Sequence, residues 1–150
     1  MSAITGQLSE FFMREALKEA RKALEADEIP IGAVIVCNNR IIARGHNQTE
    51  LLHDVTAHAE MIAITSASNA LNAKYLTDCE LYVTIEPCMM CATAIGWAQI
   101  PKIYYAASDP KKGYSLFRPS PLHPRCKVIK GLMEDECGAL MRDFFARKRK

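Results

Sequence analysis

The triplet His58-Ala59-Glu60 and, thirty positions later, the run Pro87-Cys88-Met89-Met90-Cys91 hold the residue types that could do chemistry in this chain. An imidazole and two thiolates are good zinc ligands, and a carboxylate close by can move protons. Cysteines at i and i+3 share one face of a helix, and at its N-terminus free N–H groups and the macrodipole favour thiolate over thiol. Residues two apart on a regular helix diverge by about 200°. His58 and Glu60 can therefore converge only if His58 sits at the irregular entry of its helix. Three protein ligands would leave a fourth position open to water, the arrangement of catalytic rather than structural zinc sites. Glu60 is then the general acid and base. A closed structural site is the competing reading, and it needs a fourth ligand such as His46, His53, Cys79 or His123.

Two helix entries must bring these groups to one place, and the hydrophobic pattern supplies them. Apolar residues at helical spacing predict a helix over residues 9–26, ended by Pro30. Residues 31–37 and 40–46 are β-branched and apolar, separated by the turn-forming pair Asn38-Asn39, and predict a hairpin. A polar loop with Asn47 and Asp54 leads to a helix over 58–71, a strand over 80–85, a helix over 87–97 and a short strand over 102–106. Residues 109–125 carry four prolines and a glycine and predict a loop. A last strand near 126–130 and a helix from Glu134 complete the chain. Strand, helix and strand in succession imply a parallel crossover, hence a mixed sheet with helices on both faces, a three-layer α/β/α architecture.

The 150 residues, 49% hydrophobic and 24% charged, suit a single domain over 1–150. The N-terminus has no basic segment followed by an apolar run, which predicts a cytoplasmic protein, and no run of eighteen apolar residues suggests a membrane span. Reduced thiols are then expected. Cys37, Cys79, Cys126 and Cys137 read as small apolar residues in strands and the last helix, and Met89 and Met90 as packing material rather than copper ligands. A net charge of +2 does not demand a nucleic-acid partner, yet the chain ends Arg147-Lys148-Arg149-Lys150 after Arg142, and Lys111, Lys112 and Arg118 add to that basicity.

The H-x-E and P-C-x-x-C pair resembles the signature of the cytidine-deaminase-like zinc superfamily. Within it, the chain resembles the bacterial tRNA adenosine deaminases over nearly its whole length. The likeness runs through Pro30-Ile31-Gly32-Ala33-Val34, Thr56-Ala57-His58-Ala59-Glu60, residues 81–88, Asp135-Glu136-Cys137 and Asp143-Phe144-Phe145. The resemblance implies a five-stranded mixed sheet, one zinc per subunit on His58, Cys88 and Cys91, and no organic cofactor. It implies hydrolytic deamination at C6 of the wobble adenosine, position 34, in a tRNA anticodon arm, giving inosine and ammonia. It also implies substrate contacts by Asn47, Asp109, Phe144 and Phe145, and a homodimer. Read without the family, Asn47 is an ordinary loop asparagine and Asp109 before Pro110 an ordinary turn residue.

Residues 111–119 depart from the Gly/Ala/Ser-rich stretch of those enzymes. Residues 94–98 and 76–79 look like bacterial guanine deaminases, which act on a free base. A deaminase of a free base or nucleoside, guanine first and cytosine or cytidine next, is thus the alternative. A zinc-stabilised RNA-binding module without catalysis is a third reading.

Overall fold

The computed structural model describes residues 2–149, with side chains from residue 6 onward. The elements follow as α1 (Ser2–Glu25), β1 (Gly32–Cys37), β2 (Arg40–His46), α2 (Ala59–Leu71), β3 (Cys79–Ile85), α3 (Met89–Trp97), β4 (Lys102–Ala107), β5 (Lys127–Lys130) and α4 (Glu134–Lys148). Successive strand residues point to opposite faces, and the apolar residues divide accordingly. Ala33, Ile35, Leu81, Val83, Ile103 and Tyr105 face α2 and α3, which reply with Ala59, Ala63, Ala67, Ala92 and Ile95. Val34, Val36, Tyr82, Tyr104 and Ala106 face α1 and α4, which reply with Phe12, Met13, Ala16, Leu17, Ala20 and Cys137. Two clusters on one sheet are the three layers that the sequence pattern implied.

The sheet order is β2-β1-β3-β4-β5. β1 is antiparallel to both β2 and β3, while β3, β4 and β5 are parallel. Two reversals return β2 to the direction of β3, so β2, β3 and β4 all end at the same edge. The segments that leave this edge begin at Asn47, Glu86 and Ser108, and between them they carry Asn47, His58, Glu60, Cys88, Cys91 and Asp109.

α1 begins at Ser2, seven residues before the apolar stripe that marks it in the sequence. Its first turns include Gly6, which faces open space and offers no periodic signal. The stretch expected to be loop after Asp109 holds a short 3-10 turn, Tyr114–Leu116, with Tyr114 buried. The other boundaries differ from expectation by at most two residues. At two of them the displaced residues are His58 and Cys88, which stand just outside their helices as N-caps.

Candidate active site

α2 and α3 enter from the shared edge, and each contributes one member of the His58, Cys88 and Cys91 group from the position just before its first helical residue. His58 has φ −77° and ψ 155°, and Cys88 φ −72° and ψ 174°, both extended. An N-cap side chain ordinarily turns back to accept a hydrogen bond from its own helix. Neither His58 nor Cys88 does so, which leaves the ring and the thiol free to face one another. The capping of α2 passes instead to Asn47, whose Oδ1 accepts the Ala59 N–H at 2.7 Å. Asn47 is itself 4% exposed and donates its backbone N–H to Ile31. Gly45 completes the arrangement, because a Cβ there would fall 2.4 Å from the Ala59 carbonyl oxygen. The entry of α2 can lie this close to β2 only where the strand has no side chain.

His58 Nδ1 lies 3.6 Å from Cys88 Sγ and 3.5 Å from Cys91 Sγ, and all three donor atoms fall within 4.8 Å of one another. With Zn–S near 2.3 Å and Zn–N near 2.0–2.1 Å, the N-to-S edge of a tetrahedral site is about 3.6 Å. The donor set and its spacing therefore fit zinc. Among the described residues no fourth ligand joins the group. His46 faces Glu19 at 3.5 Å, His123 Nδ1 accepts the Arg125 N–H, His53 is exposed, and Cys79 pairs with Cys37 at the opposite edge of the sheet. The residues needed for a closed structural site are thus elsewhere.

Hydrogen bonding from Cys91 holds the Cys88 thiol well below its ordinary range, with further help from His58 and the Cys91 backbone N–H. The same bond, with burial, pushes Cys91 up, and the contact with Cys88 raises His58. Glu60 sits in the first turn of α2, 3% exposed. Burial is the chief cause that lifts its carboxyl to about 7, with the Cys88 charge adding to it. A carboxyl in that range can both accept and donate a proton near neutrality.

The other anticipated residues are placed less directly. Asp109 organises its own loop: Oδ1 accepts the N–H groups of Lys111 and Lys112, each at 3.0 Å. Phe144 is buried, whereas Phe145, packed edge-on against it at 5.3 Å, is exposed. Of the basic tail, Lys148 bridges Asp27 at 2.7 Å, Arg147 and Arg149 are exposed, and Lys150 lies outside the described residues.

Two buried carboxylates beside the site were not singled out from the sequence. Glu28 accepts the N–H groups of Glu50 and Leu51, at 3.0 and 2.8 Å, and so fastens the loop between β2 and α2. Glu86 does the same for the loop after β4. An acidic residue directly after an apolar strand and before Pro87 was the signal available for Glu86.

Residues 7–107 match the family model for the cytidine and deoxycytidylate deaminase zinc-binding region. A tRNA-specific adenosine deaminase of Agrobacterium fabrum is 48% identical over 92% of this chain and 94% of its own. A solved structure from a study of A-to-I editing by tRNA:A34 deaminases superposes with a TM-score of 0.82 at 47% identity, covering 87% of this chain and 98% of that one. A guanine deaminase from Bacillus subtilis is 44% identical over 66% of this chain and 64% of its own, with a TM-score of 0.63. The zinc-type ligand triad, the carboxylate beside it and these likenesses agree that the chain belongs to the cytidine-deaminase-like zinc family and, within it, to the tRNA-specific adenosine deaminases.

Proposed function

We infer that this protein hydrolytically deaminates the wobble adenosine of a tRNA anticodon to inosine, releasing ammonia. The observation that carries the chemistry is the meeting of His58 Nδ1 with the Cys88 and Cys91 sulfurs at tetrahedral-edge distance, with the Glu60 carboxyl buried beside them. The relatives at 43–48% identity, named for tRNA, support the substrate.

His58, Cys88 and Cys91 would hold the zinc, one ion per subunit. A zinc ion bound there acts as a Lewis acid that makes water acidic enough to attack near neutral pH. Everything else falls to the chain. Glu60 takes the proton of the attacking water, since burial keeps its carboxyl poised between its two forms. It delivers that proton to N1 of the purine and then carries the second proton of the same water from the new C6 hydroxyl to the exocyclic nitrogen, so that the C6–N bond breaks, the nitrogen departs as ammonia and C6 is left as the carbonyl of inosine. Asn47 holds the His58-Ala59-Glu60 turn through Oδ1, and its Nδ2 is the group we assign to the base. Asp109 shapes one wall of the pocket, and the exposed Phe145 is the ring available for stacking on a neighbouring nucleotide, with Phe144 bracing it from behind. Arg147 and Arg149 are assigned to phosphate.

A cytoplasmic homodimer completes the proposal. Met89, Thr93 and Trp97 stand four residues apart on one side of α3, and Trp97 is 78% exposed, which supports a partner subunit on that face. Among the described residues no helix is long and apolar enough to cross a membrane.

The test is to incubate the zinc-loaded protein with an anticodon stem-loop bearing adenosine at the wobble position and, separately, with guanine, and then to weigh the products. Inosine in the RNA is expected. Xanthine alone would move the protein to the free-base deaminases, the reading that its likeness to guanine deaminase keeps available.

A further inference from the structure

Glu86 lies between the end of β3 and the Cys88 cap of α3, and it is 4% exposed. Its backbone N–H donates to the Ala107 carbonyl at 2.8 Å, continuing the pairing of β3 with β4. Among the described residues its carboxylate has no cationic partner. Its ligands all come from one loop: the Asp109 N–H at 3.0 Å on Oε1, and the Ser115 N–H at 3.0 Å and Ser115 hydroxyl at 2.7 Å on Oε2. Between these two points Gly113 lies flat on the carboxyl group, where a Cβ would fall within 2.4 Å of it. Gly113 also bridges to Cys88, and the Tyr114 N–H donates to the Pro87 carbonyl at 3.0 Å. Both ends of the loop are thus gathered on one carboxylate, directly behind a metal ligand.

A buried carboxylate is unfavourable unless its oxygens are satisfied, and charge-assisted bonds to N–H and O–H groups are short and directional. The backbone contact at Pro87 could tether the loop by itself. The carboxylate in addition fixes its register, so that Lys111 and Lys112, turned by Asp109, project at a set place. Glu28 plays the matching part for the loop on the other side of the site, with different donors.

We propose that Glu86 is a positioning residue for substrate recognition: by gathering Asp109 and Ser115 it holds the 109–115 loop against the entry of the metal-holding helix. Substrate binding, and not metal retention, then depends on it. This rests on the deaminase reading above.

The test compares wild type with Glu86→Gln and Ser115→Ala, each zinc-loaded. The Gln amide would turn a donor towards donors, whereas Ser115→Ala removes only one hydroxyl and keeps the buried charge, so it serves if Glu86→Gln does not fold. Amide exchange within 109–115 is expected to quicken, by about tenfold or more in Glu86→Gln and less in Ser115→Ala, while the amides of Glu50 and Leu51, held by Glu28, exchange as in wild type. Zinc content should be unchanged, and KM for the wobble-adenosine stem-loop should rise more than kcat falls. Unchanged exchange in the loop, a loss of zinc, or an equal loss of kcat and kcat/KM with KM unmoved would overturn the proposal. If the wild type forms no inosine, the deaminase reading fails instead, and the exchange rates still decide whether Glu86 holds the loop.

Discussion

The two edges of the sheet each carry a group of cysteines, and they have opposite characters. At the edge where β3 ends, Cys88 and Cys91 meet an imidazole and the N-terminal turn of α3. At the edge where β3 begins, Cys79 faces Cys37 across the β1–β3 register, and Cys126 packs against the same apolar cluster. Burial pushes Cys79 up to about 12 and raises Cys126, while donors around Cys88 bring it down. Burial alone leaves a thiol inert, and it raises Cys91 as well, but at the cap of α3 the Cys91 side chain, His58 and the Cys91 N–H favour the Cys88 thiolate, the form in which a cysteine can hold a metal. Residue type is shared, and backbone position decides the chemistry.

The sharpest way to break this contrast is to remove one cysteine from each edge. Cys88→Ala and Cys91→Ala should each lose the bound zinc and all measurable deamination, read by metal analysis and inosine yield. A chelator should do the same to the wild type, and added zinc should restore it. Cys79→Ala should instead keep zinc and activity and cost about 1 kcal/mol in urea unfolding, the penalty of a small cavity. A loss of zinc from Cys79→Ala would erase the distinction. In the folded, zinc-loaded protein Cys79 should resist alkylation at pH 8, because a thiol raised to about 12 holds almost no thiolate there. Reactivity should appear only as the pH climbs towards that value or the protein unfolds. The smallest effect is expected at the periphery. Replacing Arg147 and Arg149 with glutamine should reduce the slope of log K against log salt by about 0.7 to 0.9 per arginine for RNA binding. Lys148 is left in place because Asp27 already holds it.

The same division explains what could be read in advance. Apolar periodicity reports which face of an element is buried, and it located the helices, the strands and the three layers. The angular mismatch between His58 and Glu60 even required the irregular helix entry at which His58 stands. Bonds between distant segments leave no period. Nothing in the spacing joins Asn47 to Ala59 as a cap, or Glu86 to Asp109 and Ser115, because those partners meet only after the sheet has closed. Phe144 and Phe145 are alike in sequence, and only the packing of α4 separates the buried ring from the exposed one. The start of α1 was hidden for a simpler reason: Gly6 faces open space and adds nothing to the stripe.

Measuring zinc content and inosine formation together in Glu60→Ala tests the site most directly. A carboxylate that moves protons without holding metal should leave zinc at the wild-type level and the fold intact, while inosine formation disappears. Retained inosine formation would contradict the role given to Glu60, and loss of zinc along with activity would make it a ligand instead.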